Sequence, residues 1–419
     1  MSIGVGFILK SKKNILGTKK IEMNKLKTEL EELKSNFEYT YQLQQEKIYC
    51  EFCEEGFCWL EVSEKEIKGD CQTNIAGPGF HAYVIDFIEN LAEKMGLNLV
   101  IEDETKYYKT KDFETMRKEY FYSWLNTLTH AIYEEQQKKL TNICMCWPLD
   151  FYLPKDMEGT VVCPSRRFDI KEIERVVQGE APYTSIEEFA KDFFLWNQKE
   201  KDAYFYRNSA VVNLNKNCYF MPSSRSDEDQ IINARIIMLL EKSLDLDTHI
   251  PFPKSCYLEV CQLDNHNPKE LEQIRELETI HELGYRKDIV SYTLGNIHFY
   301  LPGNFLQEQE DGGTILYYDS NTSDWRNCRM SAFACKEAAQ FDVNDFKEYS
   351  VESLYEFDVD QGKCMAGIKK VEDEDETYYM LNAEVIFKKQ CTVITLCYKN
   401  EMDKQWAFET LRKINTIGE

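Results

Sequence analysis

The stretch Gly77-Pro78-Gly79-Phe80-His81-Ala82 matches G-x-G-x-x-G/A, the pattern whose glycines let a backbone approach the pyrophosphate of a dinucleotide. Glu102 or Asp103 follows at about the spacing, roughly 20 residues, of the acidic group that binds the ribose. Two features oppose nucleotide binding. The preceding residues, DCQTNIA, are too polar for a buried parallel strand, and proline has no N–H to donate. The sequence therefore favours a turn that starts a helix.

His81 lies one turn into this predicted helix, where the helix dipole favours a neutral imidazole. A neutral imidazole could act as a general base or accept a hydrogen bond, with Cys71, Asp103 or Tyr107 approaching it in space. Catalysis also needs a nucleophile or an orienting acid, and the sequence places neither beside it. We therefore expect a structural histidine that bonds to the loop backbone. If the region has a function, binding by Gly77, Gly79, His81, Asp103 and Tyr107 is favoured over catalysis.

Four cysteines, Cys50, Cys53, Cys58 and Cys71, are candidate zinc ligands. A structural zinc site usually has a second closely spaced pair of cysteines, which Cys58 and Cys71 do not form. Alternation along two strands is a competing explanation, because it places apolar residues and thiols together on buried faces. The residues of these two faces are Ile48, Cys50 and Phe52 on one strand and Cys58, Leu60 and Val62 on the other. We expect thiols in the core, no metal and no other cofactor.

Small groups of basic residues, Ser165-Arg166-Arg167 and Ser224-Arg225-Ser226, precede predicted helices. Arginine at such a position can bind an anion, but pairing with the chain's own carboxylates is the simpler expectation. Arg166 and Arg167 are therefore candidate binding residues. Acidic runs occur at 308–311 and 372–376, and the second, between two predicted strands, is expected to be a solvated hairpin loop.

The composition limits the classes of protein to consider. The chain has 419 residues, a net charge of −23 and 43% hydrophobic residues, which is typical of a large globular protein. The charge opposes nucleic-acid binding, and no apolar run approaches the roughly 20 residues that span a bilayer. The 15 cysteines are spread through a chain without an export signal, which predicts reduced thiols in the cytoplasm. Motifs of phosphate-binding loops, hydrolase elbows, zinc proteases and kinases do not occur, so an enzyme is the less favoured class.

The helices and strands expected from the sequence, which position these residues, indicate an α+β protein with three units. Residues 1–142 form a mixed unit, with a strand, a charged helix, a hairpin around Glu54-Glu55-Gly56, and an amphipathic helix from Gly79 to Met95. Residues 143–287 form an α+β unit, in which AYFYRNSAVVNL and CYFMP are expected to be strands and Pro268 to Leu283 a connecting helix. Residues 288–419 form an antiparallel sheet with flanking helices.

An internal echo raises the possibility of a duplication. Phe151-Tyr152-Leu153-Pro154 recurs as Phe299-Tyr300-Leu301-Pro302, and a Gly-Thr pair followed by two apolar residues comes after each copy, at 159–162 and 313–316. A common way of passing from a strand into a loop is the favoured explanation, because four identical residues can arise by chance and the two loops differ in length.

The C-terminal third has a strand that ends in LPGNF, a run of strands, and a last helix after CTVITLCYKNEMDKQWAFETL. This order resembles the sandwich of Mog1/PsbP-like proteins. The resemblance implies a non-catalytic protein that binds a partner, and it transfers no site residue.

The leading hypothesis is a non-enzymatic intracellular protein that binds another, basic protein. Strong acidity and abundant aromatic residues support it, and an immunity, inhibitor or bacterial defence accessory role would fit. The alternative is an enzyme with a pocket near the GPGFH turn that uses His81.

Overall fold

The computed structural model describes residues 2–14, 17–18, 20–137, 142–148, 151–319, 324–335, 340–341, 353–372 and 376–416. Helices and antiparallel sheets coexist in it, so the predicted α+β class is confirmed. The chain divides into two compact units. The first comprises Met1–Cys146, Glu158–Asn217 and Ala234–Leu283, and the second Trp147–Met157, Cys218–Asn233 and Gly284–Glu419. The division at 1–142, 143–287 and 288–419 stays a prediction.

The first unit contains a six-stranded antiparallel sheet, in the order β4-β5-β6-β7-β1-β8. A separate two-stranded ribbon joins β2 to β3. Residues alternate between buried and exposed along the central strands, because one face of the sheet is covered and the other is open. The strands are β1 (Gly4–Lys10), β2 (Lys13–Asn14), β3 (Gly17–Thr18), β4 (Thr40–Gln44), β5 (Lys47–Cys53), β6 (Gly56–Val62), β7 (Glu66–Gln72) and β8 (Asn98–Asp103).

The predicted hairpin and the helix that follows it are both present. Strands β5 and β6 flank the turn at Glu54-Glu55. Helix α2 begins at Pro78 and is almost entirely buried, and Gly96 ends it with a left-handed φ of 68°. The helices of this part are α1 (Met23–Leu33), α2 (Pro78–Met95), α3 (Tyr107–Thr110), α4 (Phe113–Met116) and, after a π-helical turn at Arg117–Tyr122, α5 (Ser123–Gln137).

The rest of the first unit has a small sheet, in the order β12-β11-β9, and a group of helices. Asp169 forms a capping box with Glu172 at the start of α6, and Ser185 caps α7. The strands are β9 (Asn142–Cys144), β11 (Thr160–Val162) and β12 (Arg167–Asp169), and the helices are α6 (Ile170–Gln178), α7 (Ile186–Phe193), α8 (Ala203–Lys216), α9 (Asp227–Leu246), which belongs to this unit from Ala234 onward, and α10 (Lys254–Asp264).

The segment AYFYRNSAVVNL is a helix, α8, so the strand prediction is wrong. All of its residues except Tyr204 and Lys216 are buried, and therefore no apolar stripe of helical period marks it in the sequence. Its buried Asn208 donates its side-chain amide to the carbonyls of Lys191 and Phe194. Residues 218–222, expected to be a strand, form none.

The helix predicted from Pro268 to Leu283 is also wrong. The residues of this segment are largely irregular, and the helix of the region is α10, which precedes it. Phe252 donates its N–H to the carbonyl of Arg275 and accepts the N–H of Leu277. These long-range backbone bonds compete with the i→i−4 bonds that a helix needs.

The second unit consists of two sheets and a C-terminal helix. One sheet has the order β10-β13-β14-β22, and the other, with seven antiparallel strands, has the order β15-β16-β17-β21-β20-β19-β18. The acidic run at 372–376 falls between β19 and β20, but residues 373–375 lie outside the described part. The run at 308–311 continues β15 into a 3-10 turn at Asp311–Gly313. The elements are β10 (Tyr152–Pro154), β13 (Ile289–Leu294), β14 (Ile297–Pro302), β15 (Leu306–Gln309), β16 (Ile315–Tyr318), β17 (Arg326–Ala334), β18 (Ser353–Val359), β19 (Gly362–Glu372), β20 (Thr377–Ile386), β21 (Gln390–Tyr398), a 3-10 turn (Glu401–Asp403), α11 (Lys404–Arg412) and β22 (Asn415–Thr416).

The two FYLP copies pair with the same strand. Both β10 and β14 are antiparallel to β13, so Tyr152 and Phe299 each lie opposite Tyr292. The strands that follow belong to different sheets, β11 to the three-stranded sheet and β16 to the seven-stranded one. The echo therefore does not extend to a repeated sheet arrangement. No helix in the described ranges is long and apolar enough to cross a membrane.

Candidate functional site

The GPG turn packs tightly against residues 194–198. Gly79 donates its N–H to the carbonyl of Trp196 at 2.9 Å, and Gly77 donates to Thr73 at 2.8 Å. A Cβ on Gly79 would lie 2.0 Å from the Trp196 ring, and Gly77 has a φ of 97°. These glycines therefore allow a close approach of two chain segments, and the donors that a phosphate would need from them are already used.

His81 is completely buried and is hydrogen bonded at both ring nitrogens. Nδ1 lies 3.0 Å from the hydroxyl of Thr73, while Nε2 lies 3.1 Å from Asp103 and 3.1 Å from the hydroxyl of Thr105. The structure thus brings together His81 and Asp103, two residues singled out in the sequence. Thr73 and Thr105, rather than Cys71 and Tyr107, complete the set of hydrogen bonds.

Asp103 is held as a carboxylate by the turn that follows β8. It accepts hydrogen bonds from the Thr105 N–H and hydroxyl and from the Tyr108 N–H, at 2.7–2.8 Å. Although burial opposes the charge, the bonds from His81, Tyr108 and Thr105 lower the pKa of Asp103 to about 2. Tyr107 is buried at the start of α3, where burial raises its pKa, and its N–H donates to the Thr105 hydroxyl.

A hydroxyl, an imidazole and a carboxylate in line are the parts of an activated nucleophile. Here Thr73 and His81 are both 0% exposed, and the Thr73 hydroxyl also donates to the carbonyl of Ile3. A surface hollow of about 340 Å³ reaches Asp103 between Glu102, Lys106 and Tyr108. Asp103 lines that hollow with a side chain that is only 3% exposed, and neither Thr73 nor His81 lines it, so the arrangement is suited to holding β7, α2 and β8 together.

The cysteines of the zinc hypothesis lie in the core of the six-stranded sheet. Cys50 lies opposite Cys58 across β5 and β6, and the Cys58 thiol donates to the carbonyl of Trp59 at 3.7 Å. Burial raises the pKa of Cys50 to about 12, and burial also raises that of Cys53, whereas a zinc ligand must be a thiolate. In the part of the chain that the structure describes, no three His, Cys, Asp or Glu residues are arranged to hold a metal.

The two arginines of the Ser165-Arg166-Arg167 group have different surroundings. Arg167 lies in β12 and donates its Nε–H to the Thr160 hydroxyl at 3.1 Å. Arg166 is 5% exposed and donates to Glu172 at 2.7 Å, as the expected pairing with the chain's own acids requires. In the described part of the chain its Nε has no hydrogen-bond partner, and the residue lines a cavity of about 580 Å³.

The sequence reasoning missed two surfaces. The cavity at Arg166 is built from segments 166–192, 204, 251 and 275–280, which no local motif connects. The second surface is the uncovered face of the six-stranded sheet, with Tyr49, Phe57 and Trp59 on its exposed side. Strand alternation contains a signal for this face, because KIYCEFC and GFCWLEV place aromatic residues opposite the buried positions.

Comparisons with known proteins give little more than a partial likeness. No protein-family model matches the chain, and no curated protein matches it. A solved crystal structure of a protein from Bacteroides thetaiotaomicron VPI-5482 is similar over 32% of this chain and 50% of that one, with 14% identity and a TM-score of 0.27. The chain thus spans about half the length of that protein in the match, and no family is shown.

Proposed function

We propose that this protein binds a basic protein partner on the uncovered face of its six-stranded sheet. We call this surface the open face and define it by Tyr49, Phe57 and Trp59 with Glu51, Asp70 and Glu102. The observation that supports the proposal most directly is this combination of exposed aromatic rings and unpaired acids on one side of a sheet.

One row of the open face crosses all six strands. In register across the sheet, it runs through Gln42, Tyr49, Trp59, Asp70, Gly6 and Glu102. Glu51 and Phe57 are opposite each other in the neighbouring row, and the Phe57 side chain is 53% exposed. Aromatic side chains of this kind supply much of the binding energy in protein interfaces.

The charges on this face favour a cationic partner. Within the described residues, Glu51, Asp70 and Glu102 have no basic group at salt-bridge distance, and the whole chain has a net charge of −23. Lys47 already lies 5.8 Å from the centre of the Trp59 ring, which shows that this ring accepts an ammonium group at its face. A lysine or arginine of a partner would meet the same ring and the adjacent carboxylates.

The resemblance of the C-terminal third to Mog1/PsbP-like proteins also favours partner binding. Under this proposal an immunity, inhibitor or defence accessory role remains a suitable setting. An enzyme that uses His81 is the weaker proposal, because the imidazole is buried and its hydrogen bonds are satisfied within the chain.

The test compares the wild type with a variant in which both Asp70 and Glu102 are replaced by Lys. Proteins captured from native cells are identified, and any basic one is purified and titrated against both forms by calorimetry. Close like charges at an interface cost several kcal/mol, so we expect affinity to fall at least about tenfold.

The matched control replaces Glu270 and Glu272 by Lys, which makes the same change in net charge at exposed positions away from the sheet. It should bind like the wild type. The proposal is wrong if no captured protein is basic, or if both reversals weaken binding equally.

A further inference from the structure

The cavity at Arg166 has the composition of a ligand site. We call it the arginine cavity and define it by Arg166, Tyr183 and Asp192 at its base and Arg175, Lys191 and Arg275 around its mouth. Its volume of about 580 Å³ is in the range of pockets for small molecules.

The acids at the base are already occupied by hydrogen bonds from within the chain. Asp192 accepts from Arg207 at 2.6 Å and from the Tyr183 hydroxyl at 2.9 Å, and Arg166 Nη1 lies 3.9 Å away. Burial opposes the charge, but Arg207 and Arg166 lower the pKa of Asp192, so this carboxylate is charged. Glu172 accepts from Arg166 and from the N–H of Asp169.

One donor at the base is left over. Arg166 is 5% exposed, and its Nε has no hydrogen-bond partner among the described residues. A buried donor without a partner costs free energy. Arg166 therefore places a buried guanidinium group at the base of the cavity.

The mouth of the cavity carries an excess of free positive charge. Arg175, Lys191 and Arg275 are exposed, and no described carboxylate lies within salt-bridge distance of any of them. The carboxylate of Glu188, which also lines the cavity, is bonded to the N–H and hydroxyl of Thr184. Three unpaired cations around one opening are unusual in a chain that has 73 acidic and 50 basic residues.

The walls are suited to a flat ring. Tyr204, Pro251 and Leu277 line the cavity. The guanidinium of Arg207 lies 4.7 Å from the centre of the Tyr204 ring and holds the Tyr204 side chain in place. Glu278, also at the edge, offers an acceptor for a hydroxyl group.

We propose that the arginine cavity binds a small phosphorylated molecule with a flat ring, of the size of a mononucleotide. The phosphate lies between Arg175, Lys191 and Arg275, and the ring lies against Tyr204 and Leu277. This site is separate from the open face and does not depend on the proposed partner binding.

The test titrates the full chain by calorimetry with three probes: AMP, adenosine and inorganic phosphate. AMP is expected to bind and to raise the Tm, because it alone offers both the charge and the ring. Adenosine and phosphate should each bind at least about tenfold more weakly, since each lacks one set of contacts.

Variants locate the site. The replacements Lys191→Ala and Arg275→Ala affect exposed side chains, so the protein should stay folded while the affinity for AMP falls at least about tenfold. Lys413→Ala removes an exposed positive charge in the second unit and should leave binding unchanged.

Two results would overturn the proposal. One is the absence of heat and of a Tm shift with all three probes at about 5 mM, a concentration at which even weak ligands stabilise a folded protein. The other is an affinity for AMP that is the same in the Lys191→Ala and Arg275→Ala variants as in the control variant Lys413→Ala. Equal binding of phosphate and AMP would show an anion site without a ring-binding wall, and would reject the proposed ligand class.

Discussion

At the scale of single residues, His81 is defined by partners from three separate parts of the chain. Thr73 lies after β7, Asp103 ends β8, and Thr105 follows it in the next turn. The imidazole and the carboxylate form a buried, hydrogen-bonded pair in which the side chains are 0% and 3% exposed. Removing one member of such a pair leaves the other buried without its partner.

Replacing His81 by Ala is therefore expected to destabilise the fold by about 3–5 kcal/mol. Urea unfolding followed by circular dichroism measures this change. His249→Ala, at an exposed histidine, is the control and should change the stability by less than about 0.5 kcal/mol. A His81→Ala protein as stable as the wild type would contradict the structural role and would favour the enzymatic alternative.

At the scale of elements, the start of α2 depends on a close approach between chain segments. The turn needs Gly77 for its left-handed φ and Gly79 for the space that Trp196 occupies. Glycine is a poor helix former, so its presence inside the first turn is explained by packing rather than by helix propensity. The G-x-G spacing of the sequence is thus explained by the close contact of this turn with residues 194–198.

Gly79→Ala should destabilise the protein by about 1–3 kcal/mol or more, because the added methyl group overlaps the Trp196 ring and the carbonyl of Gln198. Differential scanning calorimetry measures the loss as a lower Tm. Gly6→Ala is the matched control, since its nearest contact would be an ordinary 3.8 Å from Glu102. Similar Tm values for the two variants would show that the turn does not require its glycine.

At the scale of the whole molecule, the net charge of −23 acts over long distances, whereas the aromatic rings of the open face act only on contact. In the proposed complex, long-range attraction would draw a basic partner towards the protein, and contacts with Tyr49, Phe57 and Trp59 would hold it there. Salt screens the first effect, since the Debye length falls from about 10 Å at 0.1 M to about 3 Å at 1 M. Apolar contacts are screened much less.

Binding of the partner is thus expected to weaken at least about tenfold when NaCl rises from roughly 0.05 to 0.5 M. Trp59→Ala should lower the affinity by a similar factor at both salt concentrations, because it removes an uncharged contact. Titrations of the partner against the wild type and against Trp59→Ala, each at both salt concentrations, provide the comparison. An affinity that is independent of salt in the wild type would exclude a charge-guided partner.

The sequence by itself determined the elements that local patterns encode. Period-two alternation predicted β5 and β6 with their buried thiols, and the apolar spacing from Gly79 to Met95 predicted α2. Such patterns are local, because a strand or an amphipathic helix shows its buried face within a few residues. They also sufficed for the α+β class and for the antiparallel strands of the C-terminal part.

Only the tertiary structure decided the rest. Helix α8 is buried on all sides, so its environment and not its own pattern makes it a helix. The pairing of Phe252 with Arg275 and Leu277 replaced a predicted helix by extended chain. The partners of His81 and the arginine cavity join residues many positions apart, and contacts of that kind leave no periodic trace in a single sequence.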